Sequence, residues 1–365
     1  MRNYTLITRV GKIRGPYVYE VTTSKQNIEL YDDEISYLEN KSYKFRQDLS
    51  NGLNENDTVT IVNFPTMVHV KFHWARAGVG VLRLTMGKTL LEPKWTINNG
   101  KYSADDIGQI THFQDQTFLT NVKMHDEPTT KVWMNDTHAH HCNKLRGTDG
   151  QFFKPNLEKG DTIYTFEPQL CRSVFYRYWK ESVVKGIDTY RFRVPPEYFH
   201  SPLVNSDNAC YCNRNIALCD RNGVTDISHC QYQTLGAPLI MSDPYWNNGD
   251  RSLRQQFKSE LKPRNELNDE NYGIYLDIEP PDSNSQCAMN RWRNGRRKDL
   301  GDTWLYYSNL LIITGKTLQM HKRMQMSIRM SGRDEEAFKL YYPQLANTDK
   351  SIEYIVPVYW LEEVH

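Results

Sequence analysis

Alternation of apolar and polar positions is the clearest pattern in the chain. Tyr190, Phe192 and Val194 alternate with Arg191 and Arg193, and Met324, Met326, Ile328 and Met330 alternate with Gln325, Ser327 and Arg329. Successive side chains of a strand point to opposite faces, so each stretch predicts a half-buried strand. Tyr354 to Leu361 (YIVPVYWL) is apolar at nearly every position, as in a strand covered on both faces. Pro357 in that run has no amide hydrogen to give a ladder, so it marks an edge or a bulge. Met67 to Trp74 is ambiguous: Val68, Val70 and Phe72 alternate with His69, Lys71 and His73, and glycines at 78 and 80 then interrupt any regular element. Internal repeats and long low-complexity linkers are absent. The expectation is a mostly β protein.

One stretch departs from this pattern. Residues 281–312 carry Cys287, the basic run RWRNGRRK (Arg291 to Lys298) and TWLYYSNLLIIT. We read it as an atypical insertion with a solvated basic face. The alternatives are a heparin- or phosphate-binding loop and a translated intron.

At 365 residues the chain is long enough for one large domain or two ordinary ones. Its 45 Lys and Arg balance 44 Asp and Glu, which gives no reason to expect a nucleic-acid partner. Aromatic residues make up 12%, including 23 Tyr and 8 Trp, which suits an aromatic-rich core or lipid-facing surfaces. No apolar run approaches the roughly 20 residues that cross a bilayer, and polar residues follow Met1, unlike a secretory signal.

The cysteines point the other way. Cys142, Cys171, Cys210, Cys212, Cys219 and Cys230 cluster, while Cys287 stands apart. Six clustered cysteines fit a disulfide framework in an oxidising compartment, although six allow about fifteen connectivities and spacing does not choose among them. Glycosylation sequons at Asn3, Asn40, Asn56 and Asn135 also fit a translocated chain. The simplest reconciliation expects either a fragment, incomplete at both ends, or a wrongly assembled gene, in each case without the targeting and anchoring segments.

Catalytic chemistry is not indicated. His138, His140, His141 and Cys142 (HAHHC) are zinc-ligand types, but their spacing matches no standard site. AGVGVLR at Ala77 to Arg83 lacks the third glycine and the distant acid of a dinucleotide loop. There is no G-x-S-x-G elbow and no HExxH. Asp277 and Glu279 alternate on a strand and share a face, as a general acid and base would; we read them as a structural turn or ion pair. No catalytic residue, metal or cofactor is expected.

Several strings, in order, resemble the class B scavenger receptor family, which groups fatty acid translocase with the lysosomal integral membrane proteins and the sensory neuron membrane proteins. They are RGPYVY (Arg14 to Tyr19), NDTVTIVN from Asn56, HCNKLRGTDG (His141 to Gly150), CRSVF from Cys171, KGIDTYRFRVPPEYF (Lys185 to Phe199), SPLVNSDNACYC (Ser201 to Cys212), YLDIEP (Tyr275 to Pro280), GKTLQMHKRMQMSI (Gly315 to Ile328) and YIVPVYWLEE. The resemblance implies a single ectodomain over 1–365 and an α+β fold. That fold has a large antiparallel β-barrel-like core, short peripheral helices and a hydrophobic tunnel. It implies pairing of Cys142 with Cys210, Cys171 with Cys230, and Cys212 with Cys219, leaving Cys287 without a family partner. It implies membrane helices at each end, and a location at the outer face of the plasma membrane or in the lysosomal lumen. The implied partners are fatty acids, other lipids or lipoprotein particles; the alternative is an adhesion or endocytic receptor for protein or apoptotic-cell ligands. The Met324, Met326 and Met330 face would line such a tunnel or simply fill the core.

The chain also departs from the family pattern. The helical head expected between Asn63 and Asp105, with its tryptophan-glycine-tyrosine signature, is short here. Lys71, Arg76 and Arg83 are the candidate cationic ligand contacts left in that region. Arg146 replaces the asparagine of the family's NGTD sequon, and Pro281 to Ile313 separates YLDIEP from Thr314-Gly315-Lys316.

Overall fold

The computed structural model describes residues 1–7, 13–57, 93–121, 130–133, 142–212, 217–228, 239–255, 263, 265–280, 315–331 and 353–364. Fifteen strands occur among them. In chain order they are β1 (Arg2–Ile7), β2 (Ile13–Leu30), β3 (Glu34–Phe45), β4 (Lys94–Asn98), β5 (Ile110–Phe113), β6 (Thr120–Asn121), β7 (Thr130–Lys131), β8 (Thr162–Glu167), β9 (Arg172–Val184), β10 (Ile187–Arg193), β11 (Thr225–Asp226), β12 (Leu239–Ser242), β13 (Tyr275–Ile278), β14 (Thr317–Ser331) and β15 (Glu353–Val364). Two short helices, α1 (Arg251–Gln255) and α2 (Asp269–Tyr272), and several single 3-10 turns complete the described elements. The architecture is therefore mostly antiparallel β with few short helices, compatible with the α+β class.

Thirteen strands form one sheet, in the order β5-β4-β3-β2-β1-β15-β14-β13-β10-β9-β8. β11 and β12 branch from it because β14 is long enough to pair β13 through Thr317–His321 and β12 through Gln325–Ile328 on one side. Among the described residues the sheet stays open: β5 and β8 end the path and do not pair with each other. The expected barrel closure is corrected to that extent.

The hydrophobic pattern accounts for the central strands. Ile355, Val356 and Val358 of β15 are all fully buried, as expected for a strand covered on both faces. β15 lies between β1 and β14, so Pro357 is not at an edge. Instead Ser327 faces Pro357 while Met326 faces Tyr359, which makes Val358 the extra residue of a bulge beside the proline. The missing donor of Pro357 thus falls where the ladder is already interrupted.

The RGTDG segment stitches sheet regions together. Thr148 bridges Thr165 in parallel, its N–H donating to Tyr164 O at 3.0 Å and its carbonyl accepting from Phe166 N at 3.0 Å. Gly147, at φ +89°, lets the chain pass there: a Cβ would lie 2.0 Å from Tyr164 O. Asp149 accepts from Tyr37 Oη of β3 at 2.8 Å and Lys25 Nζ of β2 at 3.1 Å.

Three apolar clusters result. The largest runs over β9, β10 and β12 to β15 and includes Phe192, Ile240, Leu276, Ile328 and Val356. A second, aromatic cluster packs Trp95, Phe113 and Phe166 edge to face at 5.0 to 6.0 Å, with Tyr37, Trp133 and Cys142 alongside. The third is small, around Tyr17, Tyr19 and Leu361.

Candidate functional site

The large apolar cluster is where a lipid-handling path would have to run. Met324 is buried within it and Met326 is partly buried against it; the side chain of Met330 lies outside the described residues. These methionines, with Leu239 and Ile328, fill space between the strands. A tunnel is not seen among the described residues.

Beside this core lies a disulfide-braced end. Cys142 bonds Cys210 with Cα atoms 6.1 Å apart, and Cys212 bonds Cys219 at 5.6 Å. Cys171 is also disulfide-bonded; Cys230, its implied partner, lies outside the described residues. The 3-10 turn Ser206–Tyr211 carries Cys210 and is capped by Asn205, whose side chain accepts from Asp207 N. Within that turn Asn208 donates to the carbonyls of Glu197, Tyr198 and His200, and its Oδ1 accepts from Arg172 Nη2 at 2.6 Å. The Arg172 guanidinium is sandwiched between the rings of Tyr198 and Tyr211, at 3.9 and 3.8 Å. Trp133 meets Tyr211 edge to face at 5.0 Å and donates from Nε1 to Cys171 O at 2.8 Å. A cleft opens here, lined by Arg172, His200, Asn208, Tyr211, Arg221 and Asp226 among others, and by the Cys212–Cys219 bridge.

A network of charges, several of them buried, runs across the core strands. Arg191 of β10 and Asp277 of β13 face each other in register. Two parallel bonds of 2.7 and 2.8 Å join them, with Asp277 fully buried. Arg191 also donates to Glu270 at 2.5 Å and Ser182 at 3.0 Å, and lies 4.0 Å over the Tyr275 ring. Asp277 is thus a structural ion-pair partner. Burial would raise the Glu270 carboxyl, but Lys180 and Arg191 overcome it and hold the group low. Arg323 Nε donates to Glu362 at 2.7 Å, and its Nη2 lies 2.9 Å from His321 Nδ1. On the other side of the ring, Gln319 Nε2 lies 2.9 Å from His321 Nε2.

Asp243 is the exception in this network. Burial pushes its carboxyl well above the usual carboxylate range, and the neighbouring Asp269 adds to the effect against a hydrogen bond from Asn248. As pH rises, the unfolded chain releases this proton first while the folded chain still holds it. Stability therefore falls through the window between the two pKa values and stays reduced above it. Asp243→Asn is expected to be more stable than the parent at pH 7, with the gain shrinking toward pH 4. Denaturation midpoints across that pH range check it; an Asn variant less stable at pH 7 contradicts it.

The remaining expected residues fall as follows. Asn56 is exposed in a turn, and Asn40 is half-buried in β3 opposite Ser24. Asn3 lies in β1. Asn135, Lys71, Arg76, Arg83, the histidines of HAHHC, Cys287, the basic run Arg291–Lys298 and the whole stretch 281–312 lie outside the described residues. Sequence reasoning missed Arg172. Its partners at 198, 208 and 211 come from other elements, and no local spacing signals them.

Comparison with known proteins follows the same residues. A family model described as "CD36 family" matches residues 12–92 and 79–282, more than half of the chain. Both matches end before Cys287. Scavenger receptor class B member 1 of Rattus norvegicus is 28% identical over 307 residues, covering 74% of this chain and 57% of that protein. Lysosome membrane protein 2 of Homo sapiens is 28% identical over 301 residues, covering 73% and 60%. The chain thus spans somewhat under two thirds of the length of these relatives.

Proposed function

The chain belongs to the CD36 family, and from that premise we propose that it is the lipid-handling part of a membrane receptor of the cell surface or lysosome. In this reading it binds fatty acids, other lipids or lipoprotein particles and passes acyl chains along an apolar path. The observation that carries the reading is the family match together with the continuous apolar interior of β10 and β12 to β15, where Phe192, Ile240, Leu276, Ile328 and Val356 are fully buried. Acyl chains are driven out of water, so an apolar conduit lowers the cost of moving them between a carrier and a bilayer. Such transfer forms no covalent bond and needs no catalytic residue. Adaptable side chains such as Met324 and Met326 suit acyl chains of varied shape. The bridges Cys142–Cys210 and Cys212–Cys219 suit an oxidising, luminal or extracellular setting.

Cells expressing the full-length protein test the proposal with two readouts, uptake of a labelled fatty acid and binding of lipoprotein particles. Both are expected to rise above empty cells. If particle binding rises while uptake matches empty cells, the transport part is wrong and the adhesion or endocytic reading replaces it.

A further inference from the structure

We propose that Tyr31, at the tip of the β2–β3 hairpin, is a site of tyrosine O-sulfation. β2 ends at Leu30 and β3 begins at Glu34, and Tyr31 N closes the turn between them by donating to Glu34 O at 2.9 Å. Residues 26–32 are all exposed, so a modifying enzyme can reach a continuous length of chain around the ring. Tyr31 is 53% exposed, and Tyr102 is the other exposed tyrosine among the described side chains. Four carboxylates, Glu29, Asp32, Asp33 and Glu34, lie within three residues of Tyr31 along the chain, and residues 26–36 contain no Lys or Arg. Lys94 approaches Tyr31 from β4, but it is ion-paired to Asp115 at 2.7 Å. Tyr102 is placed differently: Lys101 precedes it and its hydroxyl donates to Asp32.

In the transfer, the Tyr31 oxygen attacks the sulfur of phosphoadenosine phosphosulfate. A bond from that oxygen to sulfur forms, and the bond from sulfur to the donor's phosphate oxygen breaks. Phosphoadenosine phosphate leaves, and the phenolic proton passes to a base of the transferring enzyme. The donor is a polyanion, so a protein that binds it presents cations, and a tyrosine set among carboxylates is drawn to such a surface. Tyr31 Oη donates to Glu29 Oε2 at 2.6 Å, and that bond, with the Glu29 charge, holds the phenol above its usual range. The ring therefore keeps its proton at neutral pH until the transfer. Glu29 is itself exposed, so the bond competes with water and opens at little cost. The Cys142–Cys210 and Cys212–Cys219 bridges place the chain in an oxidising compartment, and sulfate is transferred to tyrosine within the secretory pathway that leads there. Sulfation requires that setting and does not depend on lipid handling. The product adds a fixed negative charge to the hairpin tip.

The test is growth of cells expressing the full-length protein, together with a tyrosine sulfotransferase, in radioactive sulfate. A sulfated secretory protein made in the same cells establishes that transfer is active. After amidase removes the N-glycans, the tryptic peptide of residues 26–41 is expected to carry label, recovered as tyrosine sulfate on alkaline hydrolysis. Tyr31→Phe is expected to lower the label of that peptide at least tenfold, and Tyr102→Phe to leave it unchanged. Asp33→Lys, which puts a cation two residues from the ring, is expected to lower it at least threefold. Only glycoprotein that has reached the Golgi is compared, and the peptide assignment on the parent stands even if a variant is retained earlier. Tyr37 shares the peptide but is 1% exposed, so label that persists in Tyr31→Phe overturns the proposal. Absence of tyrosine sulfate from the parent peptide overturns it as well, as does a Tyr31 modification that takes no sulfate and is removed by a phosphatase.

Discussion

Asp277→Ala is expected to destabilise the fold by about 3–5 kcal/mol, because it leaves a buried arginine without its main partner. Asp277 is fully buried and Arg191 is 7% exposed. Burial lowers the guanidinium pKa, but the bidentate bonds from Asp277 outweigh it and leave the pKa raised. After the substitution Arg191 keeps Glu270 and Ser182. Glu270 is itself largely exposed, so it compensates only in part. A double variant, Arg191→Leu with Asp277→Leu, removes both charges and is expected to cost less than the single change. Denaturant midpoints of the parent, the single variant and the double variant measure the difference. A single-variant loss under about 1 kcal/mol contradicts the assignment of Asp277 as the partner that makes the burial of Arg191 tolerable.

Removing the Cys142–Cys210 bridge, as Cys142→Ser with Cys210→Ser, is expected to cost about 4 kcal/mol, against about 2.5 kcal/mol for Cys212 and Cys219. The difference follows from the sequence separations of 68 and 7 residues that the two bridges close. A longer loop loses more freedom in the unfolded chain when it is tied. Cys142 is also buried in the aromatic cluster beside Trp133, so the first pair loses packing too. Thermal unfolding of both double variants measures the order. Equal losses would mean that the unfolded chain is not the main place where these bridges act.

Much of the sheet was legible in the chain, and the reasons are specific. Tyr190, Phe192 and Val194 alternate, and Ile187–Arg193 is a strand. The same alternation predicts a solvated face, yet Arg191 is buried there. Its cover comes from Asp277, 86 residues away, and no periodicity within one strand registers that. The apolar run in β15 predicted two covered faces correctly, and Pro357 was left between an edge and a bulge. The strand order decided for the bulge, and strand order is a long-range property. The implied barrel closure depends likewise on which strands end the sheet, and the described strands leave it open. The cysteines were legible as a framework, while their pairing rested on the resemblance rather than on spacing. Cys142–Cys210 and Cys212–Cys219 are joined in the structure. The Arg172 sandwich was illegible because residues 172, 198, 208 and 211 meet only in the folded chain.

The most direct test of the lipid-handling account is saturable binding of a fluorescent fatty acid to the purified, disulfide-bonded chain, competed by unlabelled fatty acid. The account predicts a saturable, competable signal that disappears on unfolding. A chain that is folded by circular dichroism, with its disulfides intact, yet shows only non-saturable partitioning of the probe would contradict it.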